Sequence, residues 1–363
     1  MSSALSIPIE RTRQPRARVA EGELKFGRVF TDHMFLADWE GGDGAAGGSW
    51  KNPRLVPFGP LSLSPAAAGL HYGQSLFDGL KAFRGIDGKL RIFRLDRHVA
   101  RMADGATRLN MPAPDPELLR QAIIELVRLE REWIPSAPGT SLYIRPTMVA
   151  TEPFLGVRPA NNYLLFIIAS PVGAYYAEGM GPVKIRIEDR YVRAAPGGLG
   201  AVKAAANYIA SLMAAEEAKK DGFSQVLWTD AIEHAALEEV GTMNLFVRFG
   251  EEFATPTLGG TILGGITRDS VITLLRRWGH PINERRILVE ELLRARRSGA
   301  LKEVFGTGTA AVISPVGELG WKDQRFPVGD GQPGEMSQKL FTAITDIQYG
   351  RAPDPDGWTT IVE

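Results

Sequence analysis

One lysine, Lys203, stands between a glycine-rich run, Gly197-Gly198-Leu199-Gly200, and an alanine-rich one, Ala204-Ala205-Ala206, in a chain of 363 residues. Small neighbours let a planar ligand come close, and apolar surroundings lower an ammonium pKa toward the free amine that a nucleophile needs. A deprotonated lysine suits Schiff-base chemistry with a carbonyl cofactor such as pyridoxal phosphate. The same spacing also describes an ordinary lysine at the first turn of a surface helix, and spacing alone leaves both readings open. Two nucleotide-site readings fail on detail. A Walker A loop needs Gly-Lys-Ser/Thr, whereas Val202 precedes this lysine and Ala204 follows it. A dinucleotide fingerprint needs its third glycine where Lys203 stands.

The elements that must position this lysine are legible from pattern. Lys89 to Phe93 alternates like a short strand, and Arg94 to Met111 follows with helical spacing. Pro116 to Trp133 is a stronger helix, with Leu118, Leu119, Ile123, Leu126 and Val127 on one apolar face. Ser141 to Ala150 and Asn162 to Ala169 read as strands. The glycine-bearing stretch between Pro171 and Pro182 reads as an inter-domain linker. Beyond it come a strand at Val183 to Glu188, a helix from about Ala205 to Lys220, and strands at Gln225 to Thr229 and Leu245 to Phe249. Helices at Arg268 to Trp278 and Val289 to Arg297 precede an extended Glu303-Val304-Phe305. Gly41 to Gly48 reads as a surface loop. The expected organisation is a polar, loosely held arm over 1–22, a smaller α+β domain over 23–171, a linker over 172–182 and a larger cofactor-binding domain over 183–363.

Composition narrows the partners. A chain of this length, 44% apolar, can bury two substantial cores. Its 42 basic and 42 acidic residues balance, which removes any bulk-charge argument for nucleic acid or an anionic membrane. With no cysteine there is no disulfide, thiolate metal site or thiol nucleophile, and no metal is expected. No stretch approaches 18 uncharged apolar residues, and residues 1–22 lack the apolar core of a signal peptide. The expectation is a cytoplasmic enzyme.

Several motifs, in order, carry a resemblance. Residues 194–215 are read with Tyr143-Ile144-Arg145-Pro146, Glu239-Val240-Gly241-Thr242-Met243-Asn244 and Phe305-Gly306-Thr307-Gly308-Thr309-Ala310. Together they resemble the branched-chain amino-acid aminotransferases. The likeness runs from Phe26-Gly27 to Ile347-Gln348-Tyr349-Gly350, nearly the whole chain. It implies the two-domain α+β fold type IV of pyridoxal-phosphate enzymes. It also implies a homodimer with a shared active site and transfer of the amino group of L-leucine, L-isoleucine or L-valine to 2-oxoglutarate. Other enzymes of the same fold, a D-amino-acid or amine transaminase or an aminodeoxychorismate lyase, are the rivals, along with a non-catalytic cofactor-binding homologue.

By the same resemblance Lys203 binds pyridoxal 5′-phosphate and shuttles the proton between the substrate Cα and the cofactor. Glu239 holds a proton on the pyridine nitrogen, while its neighbour Glu238 is expected to be an exposed strand-end acid. Tyr208 donates to the phenolate oxygen. Arg101, Ile266, Thr267 and Thr309 take the phosphate; the glycine turn before Ile266 places amides at a helix start where they can face an anion, although without the resemblance it reads as an ordinary turn. Thr242 and Ala310 read the substrate α-carboxylate. Phe26, Tyr72, Phe77, Tyr143 and Tyr208 wall the side-chain pocket, and Arg145 meets the distal carboxylate of glutamate. Tyr72, Leu155 and Val157 are expected at a dimer-shared site. Three departures stand out: Ala205-Ala206 where glycines are common, Gly264 where proline is frequent, and Asp78 in place of the usual glutamate. Ala311 and Ser314 stand where some animal members carry a Cys-x-x-Cys, so no thiol switch exists there.

Overall fold

The computed structural model describes residues 6–41, 47–173 and 181–363. The chain divides into two compact units. The first takes in the described residues up to 173, plus Lys203–Ala205 and Asp346–Glu363; the second takes in residues 181–202 and Ala206–Thr345. The linker expected over 172–182 falls largely on residues 174–180, and most of the Gly41–Gly48 loop on 42–46; both stretches lie outside the described residues. Lys203–Ala205 thus groups with the first unit and not with the segment after the linker. The reason is local pairing: Ala204 bridges Leu76, and the Phe77 N–H donates to the Lys203 carbonyl at 3.2 Å.

In the first unit, strands β1 (His33–Glu40), β2 (Ser49–Pro57), β3 (Ser75–Phe77), β4 (Leu80–Arg84), β5 (Leu90–Phe93), β6 (Ser141–Ala150) and β7 (Asn162–Val172) join the chain's last strand, β17 (Thr359–Val362). The sheet order is β17-β5-β4-β6-β7-β1-β2, with β3 paired to β6. β6 and β7 run antiparallel over their length, Ser141 opposite Val172 and Ala150 opposite Tyr163. Helices α1 (Ala68–Tyr72), α2 (Leu95–Arg108) and α3 (Pro116–Leu129) complete the unit. α3 starts where its sequence says: Pro116 needs no amide partner there, and Asp115 Oδ1 accepts the Leu118 N–H at 2.8 Å. Its predicted apolar stripe is buried, each large side chain removed from water adding roughly 1.5–3 kcal/mol.

The arm is held, contrary to its polar composition. Glu10 N–H donates to the Leu55 carbonyl at 2.8 Å and Leu55 N–H to Pro8 at 2.9 Å, which covers the open edge of β2. Thr12 N–H then donates to His33 Nε2 at 2.9 Å, and Arg16 N–H to Asp32 Oδ1 at 2.7 Å. Glu21 accepts the amides of Ser136 and Ala137 at 2.8 and 2.6 Å. Backbone hydrogen bonds of this kind leave no hydrophobic period, so nothing in the pattern announces them.

The second unit is built on β8 (Val183–Ile187), β9 (Gln225–Thr229), β10 (Leu237–Val240), β11 (Met243–Phe249), β12 (Glu252–Thr255), β13 (Ile282–Glu284), β14 (Leu301–Gly308), β15 (Val312–Trp321) and β16 (Gln324–Pro327). Their order is β10-β9-β8-β15-β14-β11-β12-β13, with β16 on β15. Ile185, Leu227, Leu237, Val240, Leu245, Val247, Leu292 and Val304 form its apolar core. The single helix expected over 205–220 is two, α4 (Ala205–Ile209) and α5 (Leu212–Lys220). Ser211 breaks it by turning its hydroxyl back to the Tyr208 carbonyl at 2.7 Å. α6 (Ile266–Arg277), α7 (Val289–Arg297) and α8 (Glu335–Gln348) follow. The Glu303 carboxylate accepts the Met336 and Ser337 amides at 3.1 and 2.9 Å and so caps the start of α8.

Candidate active site

In the first unit the lysine lies on an aromatic wall. Lys203 Nζ sits 5.2 Å from the Phe77 ring centroid, within the range of a cation–π contact. Arg145, on β6, lays its guanidinium over the same ring at 4.6 Å and over Tyr143 at 5.2 Å. Strand alternation puts Tyr143 and Arg145 on one face, and Arg145 Nη2 donates to the Tyr143 hydroxyl at 2.9 Å. Burial pushes the Tyr143 phenol up, against the opposing charge of Arg145, so it stays protonated at neutral pH. Gly79 permits this packing, because a Cβ there would come within 1.9 Å of the Tyr143 oxygen. Phe26 meets Tyr143 edge-on, ring centroids 4.9 Å apart. Arg145 Nε is buried with no hydrogen-bond partner among the described residues.

Arg101, on α2, has its fork on Asp78: Nε to Oδ2 at 2.8 Å and Nη2 to Oδ1 at 2.7 Å. His98 Nδ1 lies 2.8 Å from Oδ1 of the same carboxylate. Burial alone would raise the Asp78 carboxyl, but the charges and hydrogen bonds of Arg101 and His98 outweigh it and hold the group far below the carboxylate range. His98 moves the other way: burial lowers it, only partly offset by Asp78, and the charges of Arg101 and Lys203 lower it further. It is neutral at pH 7, with its Nδ1 proton directed at Asp78.

Tyr72 turns its hydroxyl to the Leu155 carbonyl. Tyr72, Leu155 and Val157 are 45%, 59% and 86% exposed. Three large side chains of this one unit are therefore left exposed.

The second unit holds a different arrangement. Glu239 pairs with Asn244 across β10 and β11, and Asn244 with Thr307 across β11 and β14. Opposed residues share a face, so the three form a polar row across three strands. Glu239 is 3% exposed; it is ion-paired with Arg193, and Asn244 Nδ2 donates to it at 3.2 Å. Arg193 Nη2 also donates to the carbonyls of Gly200 and Thr261 at 3.0 and 2.6 Å, which ties the glycine-rich loop to the row. A narrow cleft here is lined by Arg193, Val202, Asn207, Tyr208, Ser211, Glu239, Thr242 and Leu263.

Glu238 is not the exposed acid that its place suggests. It is 7% exposed, on the opposite face from Glu239, and accepts the Thr261 hydroxyl at 2.5 Å. Burial pushes its carboxyl up, only partly countered by Thr261 and Arg193.

The start of α6 is buried at Ile266 and Thr267, and Gly265 before it provides no side-chain cap. Orphan amides at a buried helix start call for an acceptor. Gly265 is required there because a Cβ would come within 1.8 Å of Asn244 Oδ1. Thr309 and Ala310 lie in the turn joining β14 to β15. Thr307, two residues earlier, is buried with its hydroxyl unpartnered among the described residues.

The sequence motifs do not mark Arg193, Asn244, Asp78 or His98 as participants. Arg193 carried no signal that separated it from the solvent-exposed Arg190, three residues earlier. Asn244 had one: its place two residues beyond the Gly241-Thr242 turn sets it opposite Glu239.

The class IV amino-transferase family matches residues 75–319. The chain is 49% identical to branched-chain-amino-acid aminotransferase 2 of Bacillus subtilis over 98% of its own length and 97% of that protein. The branched-chain amino acid aminotransferase of T.th. with pyridoxamine 5′-phosphate superposes with a TM-score of 0.74 at 30% identity, covering 90% of this chain and 98% of that one. The same enzyme complexed with N-(5′-phosphopyridoxyl)-L-glutamate superposes at 0.72 and 29% identity over the same shares, and with 4-methylvaleric acid at 0.73 and 29%. Near-complete coverage at these identities, on a matching two-unit α+β fold, settles the family: the chain belongs to the class IV aminotransferases and, among them, to the branched-chain amino-acid aminotransferases.

Proposed function

We propose that this protein is a branched-chain amino-acid transaminase that moves the amino group of L-leucine, L-isoleucine or L-valine to 2-oxoglutarate with pyridoxal 5′-phosphate. The observation that carries the reading is Lys203 on the Phe77 ring beside Arg145. A nucleophilic amine, an apolar wall and a cation able to receive a second carboxylate are the three requirements of a site that accepts both leucine and glutamate. The T.th. enzyme binds both a glutamate derivative and an apolar aliphatic acid.

Pyridoxal phosphate fits the residues present: α6 begins buried without a side-chain cap, and the Glu239 carboxylate lines a cleft with Tyr208. When bound, it supplies an electron sink for the carbanion formed at the substrate Cα. Lys203 would hold it covalently and, once released, carry the proton from Cα. Glu239 would keep a proton on the ring nitrogen, with Arg193 and Asn244 bracing the carboxylate. Tyr208 would donate to the phenolate oxygen. Arg101, the amides of Ile266 and Thr267, and Thr309 would receive the phosphate. Thr242 and Ala310 would read the α-carboxylate. Phe26, Tyr72, Phe77 and Tyr143 would exclude water from the aliphatic side chain, and Arg145 would pair with the distal carboxylate of glutamate.

The exposed apolar group Tyr72, Leu155 and Val157 fits a homodimer in which the second copy covers these side chains. The balanced charge and the absence of cysteine fit the cytoplasm; among the described residues no helix is long and apolar enough to cross a membrane. Titrating purified protein with L-leucine, L-glutamate and D-alanine, and following the absorbance of the bound cofactor, tests the assignment. Both L-amino acids should discharge the band and D-alanine should not. A response to D-alanine alone would replace the reading with a D-amino-acid transaminase.

A further inference from the structure

We infer that Asp78 is a positioning residue for phosphate recognition: its carboxylate fixes the plane of the Arg101 guanidinium, and His98 fixes the carboxylate. The inference rests on the reading of Arg101 as a phosphate ligand. It goes beyond that reading by naming what aims the arginine.

The geometry is closed on the Asp78 side. Oδ1 accepts the Gly79 amide at 2.6 Å, His98 Nδ1 at 2.8 Å and Arg101 Nη2 at 2.7 Å, while Oδ2 takes Arg101 Nε at 2.8 Å. Asp78 and His98 side chains are 2% and 3% exposed, and that of Arg101 15%. His98 Nδ1 also lies 3.4 Å from Arg101 Nη2, but with its proton spent on the carboxylate this is two donors side by side, not another bond. A guanidinium carries its five donors in one rigid plane. Once Nε and Nη2 are committed to Asp78, the plane is set, and a phosphate must approach within it. Lys203 is near enough for its charge to act on His98, so the clamp and the covalent anchor form one cluster within a single unit.

Two effects compete when the charge of Asp78 is removed. By Coulomb's law alone, losing a carboxylate beside Arg101 would tighten anion binding. Losing the fork frees a long side chain to sample other rotamers and strands His98 without its acceptor. The fork is two charge-assisted bonds in a site closed to solvent, which favours the second effect. D78E keeps the charge and the donors' partner.

The test measures binding of inorganic phosphate and of pyridoxal phosphate to the full chain freed of cofactor, with melting temperature as the check on folding. D78N is expected to weaken both by about 10- to 100-fold, as loss of charged hydrogen bonds does, while D78E stays within a few-fold of wild type. In an R101Q background D78N should add no further loss. Unchanged or tighter phosphate binding in D78N, or full additivity with R101Q, overturns the inference. An R101Q variant that binds phosphate normally overturns the reading of Arg101 itself, a separate result. Should D78N not fold, H98L and H98N decide: loss with leucine and recovery with asparagine, whose amide can replace the Nδ1 donor, support the clamp, and equal behaviour refutes it.

Discussion

Asp78 in the first unit and Glu239 in the second are both buried carboxylates braced by an arginine, and they are built for opposite ends. Asp78 is enclosed by donors from its own turn and from α2: Gly79, His98 and both nitrogens of one edge of Arg101. Its charge is answered on the spot, and its effect passes through the arginine it orients. Glu239 lies on a strand, lines a cleft, and is held by Arg193 and Asn244 from other elements of its unit. A carboxylate that holds structure is closed in by near neighbours. The one that lines a cleft is held by an arginine and an asparagine from elsewhere in its unit.

The largest expected effect tests the chemistry on which both sides depend. Lys203→Ala should lower turnover by several orders of magnitude while the protein still binds pyridoxal phosphate weakly through its phosphate contacts. Near wild-type activity would leave neither carboxylate with the role described.

Glu239→Gln against Asp78→Asn then separates the two designs. The glutamine keeps the shape but loses the charge that is proposed to face the ring nitrogen, and single-turnover rates with L-leucine should fall by about 100- to 1,000-fold with phosphate affinity nearly unchanged. Asp78→Asn should do the reverse. If both variants lose affinity and rate alike, the contrast collapses into one of general stability.

Arg145→Leu sharpens the comparison on the aromatic wall. Removing the guanidinium costs the glutamate half-reaction a charge-assisted bond of about 1.5–3 kcal/mol, whereas leucine loses mainly packing. The ratio of kcat/KM for the two half-reactions reads the difference. Equal losses would make Arg145 structural.

The smallest effect concerns Glu238, whose raised carboxyl gives it the opposite pH sign from Asp78. A raised folded pKa means its contribution to stability is full below the unfolded value, about 4.3, and is lost as pH rises through the raised one. At pH 7 the buried charge therefore weighs against folding. Glu238→Gln should raise Tm by roughly 2 °C at pH 7 and by nothing at pH 4, without altering the leucine half-reaction. For Asp78 the depressed pKa means stability that is present above about pH 3.9 and lost as pH falls toward the folded value. An E238Q gain that persists at pH 4 would show that packing, not ionisation, is responsible.

Much of this molecule was determined by sequence alone. Period-two and period-3.6 patterns locate β6, β9 and α7 to the residue, because alternation and the helical stripe are set by neighbours a few positions away. The glycine–lysine–alanine run and the Glu-Val-Gly-Thr turn, taken with the other motifs in order, carry the family resemblance, while the spacing around Lys203 by itself leaves an ordinary surface-helix lysine open. Tertiary structure alone decided which charges meet. Arg101 reaches Asp78 from 23 positions on and Arg193 reaches Glu239 from 46 positions back, and no local period encodes either pairing. It also buried Glu238, which its place at a strand end would leave exposed, and it tied down an arm whose composition reads as free. A salt bridge or an edge hydrogen bond forms when the fold brings its partners together, so its signature exists only in three dimensions.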